Sequence, residues 1–192
     1  ASRRYMSADA GFEIIGSRLV CETPFLKLFE VDLETPTGEI GKRTVGSIGH
    51  AVAVVAVDGD EVVLIRQYRT PLDQALLELP AGKLDVPGED PQDAAVRELA
   101  EEVGFRAGTM RRVAGFHTSP GFLDEYLTVY VATDLTPVPA QPMGPEEVAA
   151  EIVLLPVKDI PTMLPEIEDA KTIIGLMALL LGGDEPAGAE PA

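Results

Sequence analysis

The run Ala51 to Val57, AVAVVAV, constrains this chain more than any other stretch. It carries no polar residue on either face of an extended backbone, and its valines are stiff at χ1 and pack well on a pleated surface. Such a strand belongs at the centre of a sheet, buried on both faces. Asp58-Gly59-Asp60 then turns the chain back into Glu61 to Tyr68, which completes a hairpin.

The rest of the chain arranges itself around that hairpin. Upstream, Phe12 to Val20, Leu26 to Leu33 and Glu39 to Ser47 read as three short strands. Turn signals separate them at Thr23-Pro24 and at Thr35-Pro36-Thr37-Gly38. A meander of this size buries little alone, so it is expected to pack on the main domain or on a partner chain. Downstream, Ala75 to Leu79 ends in a sharp break at Pro80-Ala81-Gly82. Asp90 and Pro91 have the chemistry of an N-cap and a first helical residue, and Gly104 that of a stop just past Val103. Strands are expected near Arg111 to His117, Tyr126 to Thr133 and Glu151 to Leu155. A proline-rich loop is expected over Pro137 to Pro145 and a terminal helix over Ile167 to Leu181. The small, acidic tail from Gly182 is expected to be disordered.

Composition bounds the function. At 192 residues the chain suits one domain with a modest extra element, and 46% hydrophobic residues with no Trp imply an aliphatic core. A formal net charge of -17 argues against binding the backbone of nucleic acid or an anionic membrane surface. A phosphate-bearing substrate must then meet local cations, either a few Arg side chains or bound metal. Lone Cys21 offers no internal disulfide, residues 1–10 lack the apolar core of a signal peptide, and no apolar run is long enough to span a bilayer. A cytoplasmic protein is the expectation.

The chemistry concentrates on the expected helix. Glu98, Glu101 and Glu102 are spaced by three and four residues, so they project from neighbouring positions. Like charges at that spacing destabilise a helix by a few tenths of a kcal/mol unless something neutralises them. A hard divalent cation does so, because Mg²⁺ and Mn²⁺ prefer carboxylate oxygen. Taken alone, the cluster reads more readily as a solvated acidic face.

The stretch Gly82 to Phe105, GKLDVPGEDPQDAAVRELAEEVGF, resembles the signature box of the Nudix hydrolases. Arg97, Glu98, Leu99, Glu101, Glu102, Gly104 and Phe105 stand at its fixed positions. One departure is visible: six residues, Lys83 to Gly88, separate Gly82 from Glu89, where the family usually has five. The extra residue falls in the loop before the helix, so it bears on Glu89 and not on the helical glutamates.

The resemblance implies an α/β (α+β) fold, an α/β/α sandwich with a mixed sheet, plus the small N-terminal antiparallel element. Residues 1–47 would then be a dimerisation element, 48–181 the hydrolase domain and 182–192 the tail. It also implies Mg²⁺, with Mn²⁺ an alternative, held by Glu98 and Glu102, with Glu101 a ligand or a partner of one and the backbone carbonyl of Ala81 completing the site. Arg97 is expected to pair with Glu101 or Glu89 and orient carboxylates.

Features outside the box resemble the ADP-ribose pyrophosphatase branch. Pro120 lies sixteen residues after Gly104, within a run Ser119 to Glu125 that is similar to that branch. By this resemblance Pro120, Gly121 and Glu125 approach the substrate, and Arg43 reaches it from the partner of a homodimer. Arg69 contacts phosphate, to which a guanidinium fork is suited, and Glu78 lies near substrate or metal. The catalytic base is expected at Glu147, with Glu146 next and Glu151 third. His117 and His50 read as structural. Phe12, Phe25 and Phe29 can stack on a base, though core packing is the commoner use of aromatics at strand spacing.

The expected reaction is hydrolysis of ADP-ribose to AMP and ribose 5-phosphate. The alternatives are another nucleotide sugar such as GDP-mannose, or a non-catalytic nucleotide-binding sensor module.

Overall fold

A computed structural model describes residues 11–182, which form two compact units. Residues 11–49 with His117–Glu125 make the first, and 50–116 with 126–182 the second. The ends of the chain, including all of the expected 182–192 tail except Gly182, lie outside the described residues.

In the first unit, strands β1 (Glu13–Glu22), β2 (Lys27–Glu34) and β3 (Ile40–Ser47) form an antiparallel sheet in that order. The Thr23 hydroxyl shapes the first turn, accepting from the backbone N–H groups of Phe25 and Leu26. Gly38, at φ 81°, supplies the left-handed conformation of the second. Ion pairs tie the strands, with Lys42 bridging Glu30 and Asp32 at 3.1 and 3.0 Å. Apolar side chains such as Ile14, Ile40 and Phe25 remain exposed. Phe12 is exposed as well, so these two aromatics do not form core within the chain, and only Phe29 is half-buried.

The second unit is built on β4 (Ala51–Asp58), whose residues 51–56 are all buried. Val52, Val54 and Ala56 face one side and pack with Ala94, Ala95, Leu99 and Val103 of helix α1 (Pro91–Val103). Ala51, Ala53 and Val55 face the other, in a cluster with Leu79, Val129 and Leu176. Full burial of each such aliphatic side chain contributes about 1.5–3 kcal/mol, and it explains why this strand alternates in direction but not in polarity. β5 (Glu61–Arg69) pairs antiparallel with the end of β4, while β9 (Tyr126–Pro137) runs parallel to it. With β8 (Phe105–His117) and β10 (Glu151–Pro156) the sheet order is β10-β5-β4-β9-β8, and it is mixed.

Two short strands open the sheet where the site lies. β4 pairs with β5 only from Ala56 onward, and its first half pairs instead with β7 (Ala81–Lys83). The far half of β5 pairs with β6 (Gln74–Glu78). β4 and β5 therefore part company. Leu79 and Pro80 cross the gap, and the Pro80 carbonyl accepts from the Val54 N–H at 2.9 Å. The expected break at Pro80-Ala81-Gly82 is thus partly a strand, because the unpaired half of β4 offers a free ladder.

Three further boundaries differ from the sequence reading. β8 starts at Phe105 and not near Arg111, since Phe105, Ala107 and Met110 pack beside the α1 cluster. A single helical turn, α2 (Pro145–Val148), begins at the last residue of the expected proline-rich loop and carries Glu146 and Glu147. Short turns over 157–166, including α3 (Ile160–Met163), precede the terminal helix α4 (Ala170–Leu181). α4 starts at Ala170 and not at Ile167, because Asp169 caps it by accepting from the Thr172 N–H at 2.9 Å. α4 covers the face of the sheet opposite α1, which gives the α/β/α layering. Among the described residues no helix is long and apolar enough to cross a membrane.

Candidate active site

Local sequence sets α1 in place. The Asp90 carboxylate accepts from the Gln92 N–H at 2.8 Å, Pro91 fills the first turn, and Gly104 closes the helix at φ 72°. Beyond it, the Val138 N–H donates to the Gly104 carbonyl at 2.8 Å and the Gln141 N–H to the Glu101 carbonyl at 2.9 Å. These bonds tether the segment that leads to α2 directly to the end of α1.

With α1 fixed, its carboxylates meet the backbone of β7. Glu98 is 9% exposed and lies over Gly82, where any Cβ would overlap the carboxylate. Glu102 accepts from the Ala81 N–H at 2.9 Å. Arg97 is the hub of the loop-helix junction. Nε and Nη2 donate to the two Glu89 oxygens, each at 3.0 Å. Nη1 donates to Glu98 at 2.8 Å and to Glu101 at 3.2 Å. Nη2 also reaches the Lys83 carbonyl and Asp85. Arg97 thus binds carboxylates from both loop and helix, and the loop with its extra residue still delivers Glu89 to it. A turn with Gly88 at φ 79° takes up the slack.

Electrostatics follow from this crowding. Burial pushes the Glu102 carboxyl up to about 8, against the pull of its Ala81 hydrogen bond, with the charges of Glu98 and Glu147 adding to the rise. Burial also raises Glu98, although Arg97 opposes it. Carboxyl groups are therefore crowded here in a largely buried setting, with Arg97 the cation that offsets Glu89, Glu98 and Glu101. In this structure the acidic groups turn to protein donors, and among the described residues no three of them converge into a preformed metal cage. The donor set nevertheless fits a hard divalent cation. Glu98, Glu101 and Glu102 each engage protein donors through one oxygen and keep the other without a protein partner among the described residues. Carboxylate oxygen is the preferred ligand of such ions, and a cation would offset both the burial and the neighbouring negative charge that push the Glu102 carboxyl up.

Beside the carboxylates lies a cleft of about 280 Å³ whose walls include Tyr68, Arg69, Met143, Glu146 and Glu147. It brings together residues from β5 and α2 that lie far apart in sequence. Glu147 accepts from the Met143 N–H at 2.5 Å and is close enough to Glu102 to act on it electrostatically. Arg69 donates through Nε and Nη2 to both oxygens of Glu78, at 2.6 and 2.5 Å. Glu78 is 1% exposed and accepts also from Lys171. Burial alone would raise the Glu78 carboxyl, but the hydrogen bonds and charges of Arg69 and Lys171 outweigh it and hold the group below its usual range. Glu151 lies on β10 and pairs loosely with Arg66, at 3.7 Å.

Four expected substrate residues fall in the first unit. Arg43 donates to its neighbouring Lys42 carbonyl at 2.8 Å. Pro120 and Gly121 form a turn in which the N–H groups of Phe122 and Leu123 donate to the Ser119 carbonyl. Glu125 accepts from the Thr118 hydroxyl at 2.6 Å. His50 packs against the Tyr126 ring, with centroids 6.0 Å apart.

Lys171, Asp169 and Thr172 were not picked out by sequence reasoning. A signal did exist. A lysine in the first turn of a helix opposes the macrodipole, so its presence in α4 asks for an acidic partner elsewhere.

A mixed sheet between two helical layers, with a carboxylate-bearing helix entered through a glycine loop, defines a metal-competent hydrolase architecture. The NUDIX domain family model matches residues 48–174, and the chain belongs to that family. It is 35% identical to an ADP-ribose pyrophosphatase of Bacillus subtilis (strain 168), over 81% of this chain and 85% of that protein. It is 30% identical to a GDP-mannose pyrophosphatase of Cronobacter sakazakii, over 89% of this chain and 96% of that one. A crystal structure of an ADP compounds hydrolase superposes with a TM-score of 0.79 at 26% identity, covering 89% of this chain and 93% of the other.

Proposed function

We propose that this Nudix pyrophosphohydrolase cleaves ADP-ribose to AMP and ribose 5-phosphate, using Mg²⁺ or, in its place, Mn²⁺. The observation that carries the reading is the convergence of Glu98 and Glu102 on the Gly82-Ala81 backbone beside a cleft walled by Arg69 and Glu147. The similarity to the ADP-ribose pyrophosphatase of Bacillus subtilis supports the choice of substrate.

Glu98 and Glu102 would hold the cation, with Glu101 and the Ala81 carbonyl completing its surroundings. When bound, the ion neutralises charge on the pyrophosphate and makes the attacking water more acidic. Glu147 takes a proton from that water as its oxygen attacks phosphorus and the bridging oxygen departs. Arg69, its fork braced by Glu78, grips a phosphate oxygen. Arg97 keeps the helix carboxylates aimed. Pro120, Gly121 and Glu125 are assigned to the substrate from their sequence positions, as is Arg43 from the second copy of a homodimer. Exposed Ile14, Phe25 and Ile40 on the N-terminal sheet support such a dimer.

The GDP-mannose alternative has support of its own in the Cronobacter sakazakii relative. Product analysis with Mg²⁺ against ADP-ribose, GDP-mannose, NADH and a nucleoside triphosphate separates them. AMP and ribose 5-phosphate should dominate, and a clear preference for GDP-mannose would overturn the substrate assignment.

A further inference from the structure

Lys171 lies outside the carboxylate helix and the cleft, yet it is joined to the cleft through a buried charge. Glu78, at the end of β6, is 1% exposed, and a carboxylate so buried needs cationic partners. It has two. Arg69 approaches from the cleft side through Nε and Nη2, and Lys171 approaches from α4. Lys171 also meets Asp169 at 3.1 Å. Asp169 is fixed in turn, because it caps α4 and accepts from the Thr172 hydroxyl at 2.6 Å. That hydroxyl accepts from the Leu79 N–H at 2.8 Å, so the start of α4 is locked to the residue following Glu78.

The four charged groups sum to zero: Glu78 and Asp169 against Arg69 and Lys171. Remove Lys171 and one negative charge is left over. Asp169 already acts on Arg69 electrostatically and would then compete with Glu78 for it. The consequence falls on Arg69, whose Nη1 has no protein acceptor among the described residues and whose side chain remains 39% exposed at the cleft. Both Glu78 contacts use the other edge of the fork, which leaves Nη1 available to a ligand.

We infer that Lys171 is a positioning residue: it secures Glu78, and through Glu78 it aims the free end of the Arg69 guanidinium at a phosphate group in the cleft. This rests on the functional reading given above for Arg69. Lys171 touches no substrate. Its effect passes through one carboxylate, so it should depend wholly on the presence of Arg69.

A double-mutant cycle on the full chain with Mg²⁺ and ADP-ribose tests this dependence. Lys171→Met should raise KM about tenfold with kcat within about twofold, the pattern of lost ground-state grip. Lys171→Arg should recover most of the loss. In an Arg69→Ala background, Lys171→Met should cost no further KM. Equal losses in both backgrounds, or a lowered thermal midpoint with KM unmoved, would overturn the relay. A second readout needs no substrate. The Arg69 Nε–H resonance should be sharp and slowly exchanging in the wild type and collapse to the averaged arginine position in Lys171→Met; an unchanged resonance contradicts the proposal. Absence of ADP-ribose turnover by the wild type would tell against the functional reading instead, and the resonance would still decide the relay.

Discussion

The Glu98 carboxylate occupies the space in which a side chain at Gly82 would stand. The helix and the loop are in contact because position 82 has no Cβ, and the acidic cluster could not sit against β7 otherwise. Gly82→Ala should therefore push Glu98 off its site. A displacement of that order costs about a hundredfold in turnover, and overpacking costs about 1–3 kcal/mol of stability. Steady-state rates beside thermal unfolding check both, and near-wild-type turnover in a folded variant would show that Glu98 need not lie there.

Glu102 makes stability depend on pH when no divalent ion is bound. Its carboxyl sits near 8 in the folded chain and in the ordinary carboxylate range when unfolded, so between those values the folded state holds the extra proton. In chelator, the folded chain should lose stability as pH rises from about 5 to about 8, by roughly 3 kcal/mol. Glu102→Gln should flatten the profile. A wild-type profile that stays flat, or rises, over that range would show that Glu102 is not kept protonated.

Glu147 should separate chemistry from binding. Glu147→Gln is expected to lower kcat by about 10²–10⁴ with KM little changed, as for loss of a general base. Glu146→Gln, on the same turn, should do much less. If the two exchange roles, the base has been assigned one residue too far along.

The exposed apolar side chains of the N-terminal sheet should be covered by a second copy. Changing Ile14 and Ile40 to Lys together is expected to shift sedimentation from dimer to monomer. A wild-type chain that sediments as a monomer at micromolar concentration removes the case for Arg43 acting across a dimer.

How much of this was legible in the sequence depends on range. β4 and its hairpin, the Asp90 cap and the Gly104 stop are local signals, and the structure has them where the residues indicate. The spacing of Arg97 and Glu101 announced their pairing, which is an i,i+4 contact. The Arg97 contact to Glu98 was not legible, because adjacent helical residues do not ordinarily face each other. The start of α4 was misread because apolar Ile167 extends the hydrophobic run, whereas the cap that begins the helix is Asp169. β7 was hidden for another reason: three residues become a strand only because half of β4 is left unpaired. Lys171 escaped notice because its partner Glu78 lies 93 residues away, and only the fold brings them together.

On the proposed mechanism, Glu98 and Glu102 hold the divalent cation on which hydrolysis depends. Titration of Mn²⁺ into the wild type, Glu98→Gln and Glu102→Gln, followed by electron paramagnetic resonance and paired with Mg²⁺-supported turnover, tests it most directly. Both variants should remain folded, bind Mn²⁺ at least tenfold more weakly in line with the loss of a charged ligand, and lose nearly all turnover. Wild-type Mn²⁺ affinity and turnover in either variant would contradict the account.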